Sequence, residues 1–252
     1  MCYSDDARPP LPPISGAAAS DSELQLRASD GNRFAAYTAR AEKGTGAGVV
    51  ILPDVRGLHQ FYKELVLRFA ESGIDAIAFD YFGRTAGIGT RDDSFDGMSH
   101  VQKTTREGIA ADVGACIEYL RSVEGGAVKS VFTLGFCFGG GNSWTQAALQ
   151  PGLNGAIGFY GRPERVEDLL ARFQCPLLLL MGGADQGIPV AEVERFAERL
   201  QQAGKEYELH IFEGATHSFF DRRQEQFAQA SQEAWRYVLD FIQRHSQVTA
   251  GR

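Results

Sequence analysis

Short apolar runs alternate with amphipathic stretches along most of the chain. Arg33–Ala41 reads as an early strand, and Gly48–Leu52 is the compact apolar run expected of a buried central strand. Phe61, Leu65, Phe69 and Ala70 then recur at helical spacing, and Gly73 follows as a stop. Ile74–Phe79 predicts the next strand. Ile109, Val113, Cys116, Ile117 and Leu120 form one face of a helix, Val128–Leu134 a strand, and Gly139–Leu149 a helix. Gly155–Phe159 and Pro176–Met181 are further strands. Val190, Val193, Phe196, Ala197 and Leu200 mark a helical face ended by Gly204. Glu206–Phe212 completes the strands, and Phe227, Ala230, Ala234, Val238 and Phe241 mark a final helix. Strands separated by helices predict an α/β fold with a mostly parallel sheet covered on both faces.

Residues 1–22 break this rhythm. They are rich in Pro, Ser and Ala and read as an irregular N-terminal arm, with a single catalytic domain over residues 23–252. A chain of 252 residues is long enough for one large core. The net charge of −7 disfavours nucleic acid or an anionic membrane as partner, because both call for a basic surface. No apolar run is long enough to span a bilayer, and the start of the chain lacks a basic segment followed by an apolar one. Cys2, Cys116, Cys137 and Cys175 form neither a CxxC pair nor a metal-ligand spacing. Reduced thiols in a cytoplasmic protein, with no metal and no cofactor, are the expectation.

In open parallel sheets the chemistry gathers beyond the carboxyl ends of the strands. Directly after Val128–Leu134 stands Gly135-Phe136-Cys137-Phe138-Gly139-Gly140-Gly141, the nucleophile-elbow pattern G-x-S-x-G with Cys in place of Ser. A strand that turns sharply into a helix needs small neighbours around its nucleophile. The N-terminus of the following helix favours a thiolate and an oxyanion. A free cysteine is more often a small buried hydrophobe, and that reading suits Cys116 on its apolar helix face and Cys175 before its strand. For Cys137 the elbow argues otherwise.

This kind of elbow is followed in chain order by an acid and then a histidine. Asp185 lies in the Gly-rich loop after Pro176–Met181, and His217 lies after Glu206–Phe212. Asp185 alone would pass for a turn or N-cap aspartate. His59, His100, His210 and His245 lack the placement of His217 and read as surface or packing residues. The expected roles are Cys137 as nucleophile, His217 as base and Asp185 as the group that orients the imidazole. Backbone N–H groups of Phe138 and of Val55, in the loop Pro53-Asp54-Val55-Arg56-Gly57, are the expected oxyanion donors.

These segments resemble the dienelactone hydrolase family. The matching pieces are Gly135–Gly140, Phe159-Tyr160-Gly161, the Gly183–Asp185 loop and Gly214-Ala215-Thr216-His217-Ser218-Phe219. Pro53–Gly57 and Asp80-Tyr81-Phe82-Gly83-Arg84 add to the likeness, which covers about residues 30–245. The resemblance implies an α/β-hydrolase fold with an eight-stranded sheet and no large lid domain. It also implies carboxymethylenebutenolidase-like hydrolysis of a small-molecule ester or lactone by a Cys-Asp-His triad. In the best-known members a glutamate in the first loop touches the resting thiol; Asp54 stands there here. Members acting on dienelactone carry an arginine four residues after the histidine, where this chain has Asp221. Arg84, Arg91, Arg222 and Arg223 are the candidates to replace it. Tyr160, Ser218 and Phe219 are candidate substrate contacts. Phe82, Phe136, Phe138 and Trp144 are further aromatics available to a pocket, although core packing is the better reading of Trp144.

Two other readings stay open at this point. The chain is a non-catalytic ligand-binding protein built on a hydrolase fold, or a redox-sensing thiol protein.

Overall fold

The computed structural model describes residues 8–14 and 16–246, so Cys2 and the first seven residues of the arm lie outside it. In chain order the elements are β1 (Ala18–Arg27), β2 (Arg33–Ala41), β3 (Ala47–Leu52), α1 (Gln60–Glu71), β4 (Asp75–Phe79), α2 (Gly83–Ala86), α3 (Gly97–Val101) and α4 (Arg106–Arg121). Then come β5 (Ser130–Phe136), α5 (Phe138–Leu149), β6 (Gly155–Phe159), β7 (Leu177–Gly182), α6 (Val190–Gln202), β8 (Tyr207–Phe212) and α7 (Ala228–His245). Two 3₁₀ turns, Pro163–Arg165 and Glu167–Arg172, lie between β6 and β7.

The eight strands form one sheet in the order β1-β2-β4-β3-β5-β6-β7-β8. β1 and β2 pair antiparallel, as do β2 and β4, and every other pair is parallel. The mostly parallel sheet expected from the alternating pattern is therefore present. Successive side chains in a strand point to opposite faces. Val49, Ile51, Ala76 and Ala78 accordingly join the core that holds Phe61, Leu65 and Phe69 of α1. Val50, Leu52, Ile77 and Phe79 join the core that holds Ile109, Val113, Cys116 and Leu120 of α4. Every residue of β3, β4 and β5 is buried, which explains why these strands read as mostly apolar rather than alternating.

β1 departs from the sequence reading, which assigns residues 18–22 to an irregular arm. Ala18–Arg27 is an edge strand with most of its side chains in solvent, so it carries almost no apolar signal. The arm itself is tied down. Trp235 donates from Nε1 to the Pro10 carbonyl at 2.9 Å, Arg8 pairs with Glu64 at 2.7 Å, and Gly16 N–H reaches the Glu71 carbonyl at 3.0 Å. These contacts link α1 and α7 across residues that have no regular structure of their own.

Candidate active site

At the carboxyl end of β5 the chain reverses into α5 through Cys137. This residue has φ 53° and ψ −111°, a positive φ that side chains other than glycine rarely adopt. The glycines around it answer to close backbone contacts. A Cβ on Gly135 would lie 2.0 Å from the Gly139 carbonyl oxygen, and one on Gly139 would lie 2.1 Å from the Leu52 oxygen. A Cβ on Gly140 would lie 2.5 Å from the Phe159 oxygen. The first turn of α5 is thus pressed against the ends of β3 and β6, which brings three strand-end loops to one place.

The acid and the histidine meet by a similar device. Gly182 ends β7 where a Cβ would stand 2.6 Å from the Ala215 oxygen, and Ala184 N–H bonds that oxygen at 2.9 Å. The two loops close on each other, and His217 Nδ1 comes 2.6 Å from Asp185 Oδ2. The other oxygen, Oδ1, accepts from Gly187 N–H at 2.8 Å and Ile188 N–H at 3.2 Å. Burial works against the Asp185 carboxylate, but His217 and these N–H groups outweigh it and hold its pKa below the usual range. Cys137 also acts on the His217 side chain. Burial disfavours the imidazolium, yet the hydrogen bonds and charges of Asp185 and Cys137 push its pKa up to about 10. Asp185, His217 and Cys137 are therefore brought together at the strand ends.

Two tyrosines shape the loop after β3. Tyr62 Oη accepts from Asp54 N–H at 2.8 Å. Tyr81 Oη donates to the Asp54 carbonyl at 2.6 Å and also to that of Pro53. In a trans peptide the N–H points opposite to the C=O. Tyr81 therefore fixes the direction of the Val55 N–H by holding the Asp54 carbonyl. Phe138 is the first residue of α5, so its N–H has no acceptor within the helix. Its ring is held edge-on by Tyr81 at 5.4 Å and is covered by the Arg165 guanidinium at 5.3 Å. Tyr62, Tyr81 and Arg165 are absent from the sequence candidates. An aromatic residue in an apolar run reads as core, and nothing in its spacing announces where its hydroxyl goes.

Tyr160 follows β6 with φ 37°, its ring 4.8 Å from the His217 imidazole. Its hydroxyl donates to Asp221 Oδ2 at 2.9 Å. Asp221 also accepts from Arg222 N–H and is 1% exposed. Burial first, and then the charge of Asp54, push the Asp221 pKa up to about 6. Asp54 is itself fully buried, with Oδ1 accepting from Arg56 N–H at 2.9 Å.

The other candidates fall elsewhere. Arg84 bonds Asp112 and Asp30, and Arg91 pairs with Asp80 at 2.8 Å in the interior, so both guanidinium groups are committed away from the triad. Arg223 donates to Thr216 Oγ1 at 3.2 Å. Ser218 has φ 61° and is buried, its carbonyl accepting from Arg223 N–H. Phe82, Phe136, Phe219 and Trp144 are fully buried core residues; Phe219 packs on Phe159, Tyr160 and Phe212, and Trp144 Nε1 donates to the Leu178 carbonyl. Burial pushes the Cys116 thiol well above its ordinary pKa and that of Cys175 up to about 12, which leaves both protonated. Among the described residues no group of His, Cys, Asp and Glu is arranged to hold a metal ion, and no helix is long and apolar enough to cross a membrane.

The chain is similar to known proteins over most of its length. The model of the dienelactone hydrolase family matches residues 34–246. A Methylorubrum extorquens protein named "Putative carboxymethylenebutenolidase" is 27% identical over 234 residues, covering 88% of this chain and 80% of its own. A Bradyrhizobium protein named "Probable 2-oxo-3-(5-oxofuran-2-ylidene)propanoate lactonase" is 26% identical over 232 residues, covering 86% of this chain and 91% of its own. Among solved structures, that titled "Putative Dienelactone Hydrolase" from Klebsiella pneumoniae superposes with a TM-score of 0.76 at 24% identity, covering 89% of this chain and 99% of that one.

Proposed function

Since the chain belongs to the dienelactone hydrolase family, we propose that it hydrolyses a small ester or lactone through a Cys137 thiolate. The observation that carries this reading is the meeting of three strand-end loops: His217 Nδ1 lies 2.6 Å from Asp185 Oδ2, Cys137 acts electrostatically on the same imidazole, and Cys137 stands at φ 53° at the start of α5. The thiolate adds to the substrate carbonyl, and the oxygen that gains charge is met by the N–H groups of Phe138 and Val55. Collapse breaks the C–O bond, and His217 gives its proton to the departing alkoxide. The neutral imidazole then takes a proton from water, whose hydroxide attacks the thioester. Cys137 leaves as thiolate beside a recharged imidazolium, and the acid product departs. Asp185 holds the ring tautomer and stabilises the imidazolium at both stages.

Tyr81 supports the oxyanion role of Val55 by fixing the peptide before it. The rest of the fold supports the chemistry by holding three loops against the start of α5. The test is turnover of an activated ester and a small lactone by Cys137→Ala. A loss of at least ~10⁴-fold in kcat/KM is expected for removal of a covalent nucleophile. Undiminished turnover would remove Cys137 from the mechanism. The redox alternative finds less support, because Cys116 and Cys175 are both held protonated by burial and make poor resolving thiols.

A further inference from the structure

The last strand leaves one side of the sheet open. β8 ends the strand order, and among the described residues β7 is the only strand that pairs with it. An outer strand of this kind presents a row of N–H and C=O groups to a further strand. A groove of about 560 Å³ follows that side, walled by β8 from Leu209 onward and by the start of α7. Tyr207, Leu209 and Ile211 share one face of the strand; the first two are half-buried and Ile211 is exposed, so their apolar cover is incomplete. Glu208 and His210 share the other face. His210 stacks on Tyr237 at 3.5 Å, and its Nε2 is buried without a hydrogen bond among the described residues. The Glu208 carboxylate of the same strand stays 3.9 Å from that nitrogen.

We propose that the open edge of β8 is a docking surface for a second copy of this chain, the two β8 strands pairing antiparallel about Leu209 so that their sheets run on as one. The sequence of the strand is self-complementary about that residue. Leu209 faces Leu209, Tyr207 faces Ile211, Glu208 faces His210, and Lys205 faces Glu213. A two-fold interface uses each unlike pair twice, so every match counts double. It also limits the choice of register. Residues directly opposite in a sheet share a face, so the centre must fall on a residue rather than between two. Moving it to either neighbour sets Glu208 against Glu208 or His210 against His210. Centred on Leu209, the pairing joins the two apolar faces and gives each unbonded His210 Nε2 a carboxylate from the other copy. Arg244 already holds that carboxylate at 2.8 Å, so its orientation is restrained before the copies meet. At the ends, the Lys205 ammonium bonds only the carbonyls of Ala171 and Phe173 among the described residues, and its charge is open to Glu213.

Sedimentation velocity of the full-length protein from about 1 to 100 µM tests this. The wild type is expected to pass from the 27.5 kDa of one chain to twice that mass across the range. Ile211→Glu places a charge against Tyr207 at two points of the interface and should weaken association on the order of a hundredfold. Adding Tyr207→Lys sets each new glutamate against a lysine and should recover most of that loss. Glu213→Lys is an exposed change that sets lysine against Lys205. It should weaken association several-fold, and it carries the comparison if Ile211→Glu does not fold. Circular dichroism reports the folding of each variant. A wild type that keeps the mass of one chain throughout overturns the proposal. So does a dimer that none of the folded single variants weakens. A folded double variant that associates no better than Ile211→Glu alone overturns the pairing about Leu209.

Discussion

Asp185 and Asp221 are both buried carboxylates beside His217, and their surroundings drive them apart. Asp185 sits in the loop after β7 with a ring nitrogen at 2.6 Å and two backbone N–H groups on its other oxygen. Three donors replace its lost water, and its pKa falls. Asp221, in the segment after the histidine, has the Tyr160 hydroxyl and one N–H, and the charge of Asp54 acts on it more strongly than that of His217. Its pKa climbs to about 6. The same side chain thus serves as a permanent anion in one loop and as a titrating group in the other. Donor count and the sign of the nearest charge decide which, and for Asp185 that nearest charge is the histidine itself.

The comparison is most exposed to substitution at Asp185. Asp185→Asn keeps the shape but removes the charge that orients His217 and stabilises its imidazolium, and roughly a 10⁴-fold fall in kcat is expected by analogy with other triads. Steady-state rates on one activated ester would measure it. If Asp221→Asn costs as much on that ester, the two acids are not functionally distinct and the contrast fails.

The next effect concerns stability. Asp221 has a folded pKa of about 6 against 3.8 for the free group, so the fold binds its proton more tightly than the unfolded chain does. Its burial therefore costs nothing below about pH 4, and the full penalty is reached above the folded pKa. A shift from 3.8 to about 6 corresponds to about 3 kcal/mol. Asparagine never takes the charge. Relative to wild type, Asp221→Asn should accordingly gain about 3 kcal/mol of stability between pH 4 and pH 8. Urea unfolding of both proteins at the two pH values would show it, and parallel pH dependences would contradict the assignment.

Much of this arrangement was legible before the fold was known, and the reasons differ from residue to residue. β2 and β6 begin and end where the sequence pattern puts them, because apolar runs with clear stops define them. β1 was hidden by its solvent-facing side chains, and α2 and α3 are too short for helical periodicity to register. Cys137, Asp185 and His217 could be named as candidates because each follows a strand and the elbow pattern fixes their order. Asp221 stands in Phe-Phe-Asp-Arg-Arg, where a charged residue reads as surface, so its burial was invisible. The clamps from Tyr62 and Tyr81 to the loop after β3 depend on a strand, a helix and a loop meeting in space, which no local pattern records.

The finest test of the contrast lies at Tyr160. Its hydroxyl donates to Asp221 and makes no bond to Asp185, so Tyr160→Phe should act on one acid alone. A hydrogen bond to the ionised form lowers a carboxyl pKa, and its removal raises it. The midpoint of the Asp221-linked stability change should therefore move upward from about 6. Above that midpoint the variant should lose roughly 2 kcal/mol, the usual worth of a hydrogen bond to a charged group. Below pH 5, where Asp221 is neutral, the loss should shrink to about 1 kcal/mol or less. Stability measured in half-unit steps between pH 4.5 and 8, with and without the Asp221→Asn background, separates the two acids. In that background the pH-dependent part of the Tyr160→Phe effect should vanish. If it persists, the hydroxyl is acting on a group other than Asp221, and the two carboxylates are coupled more closely than their separate loops imply.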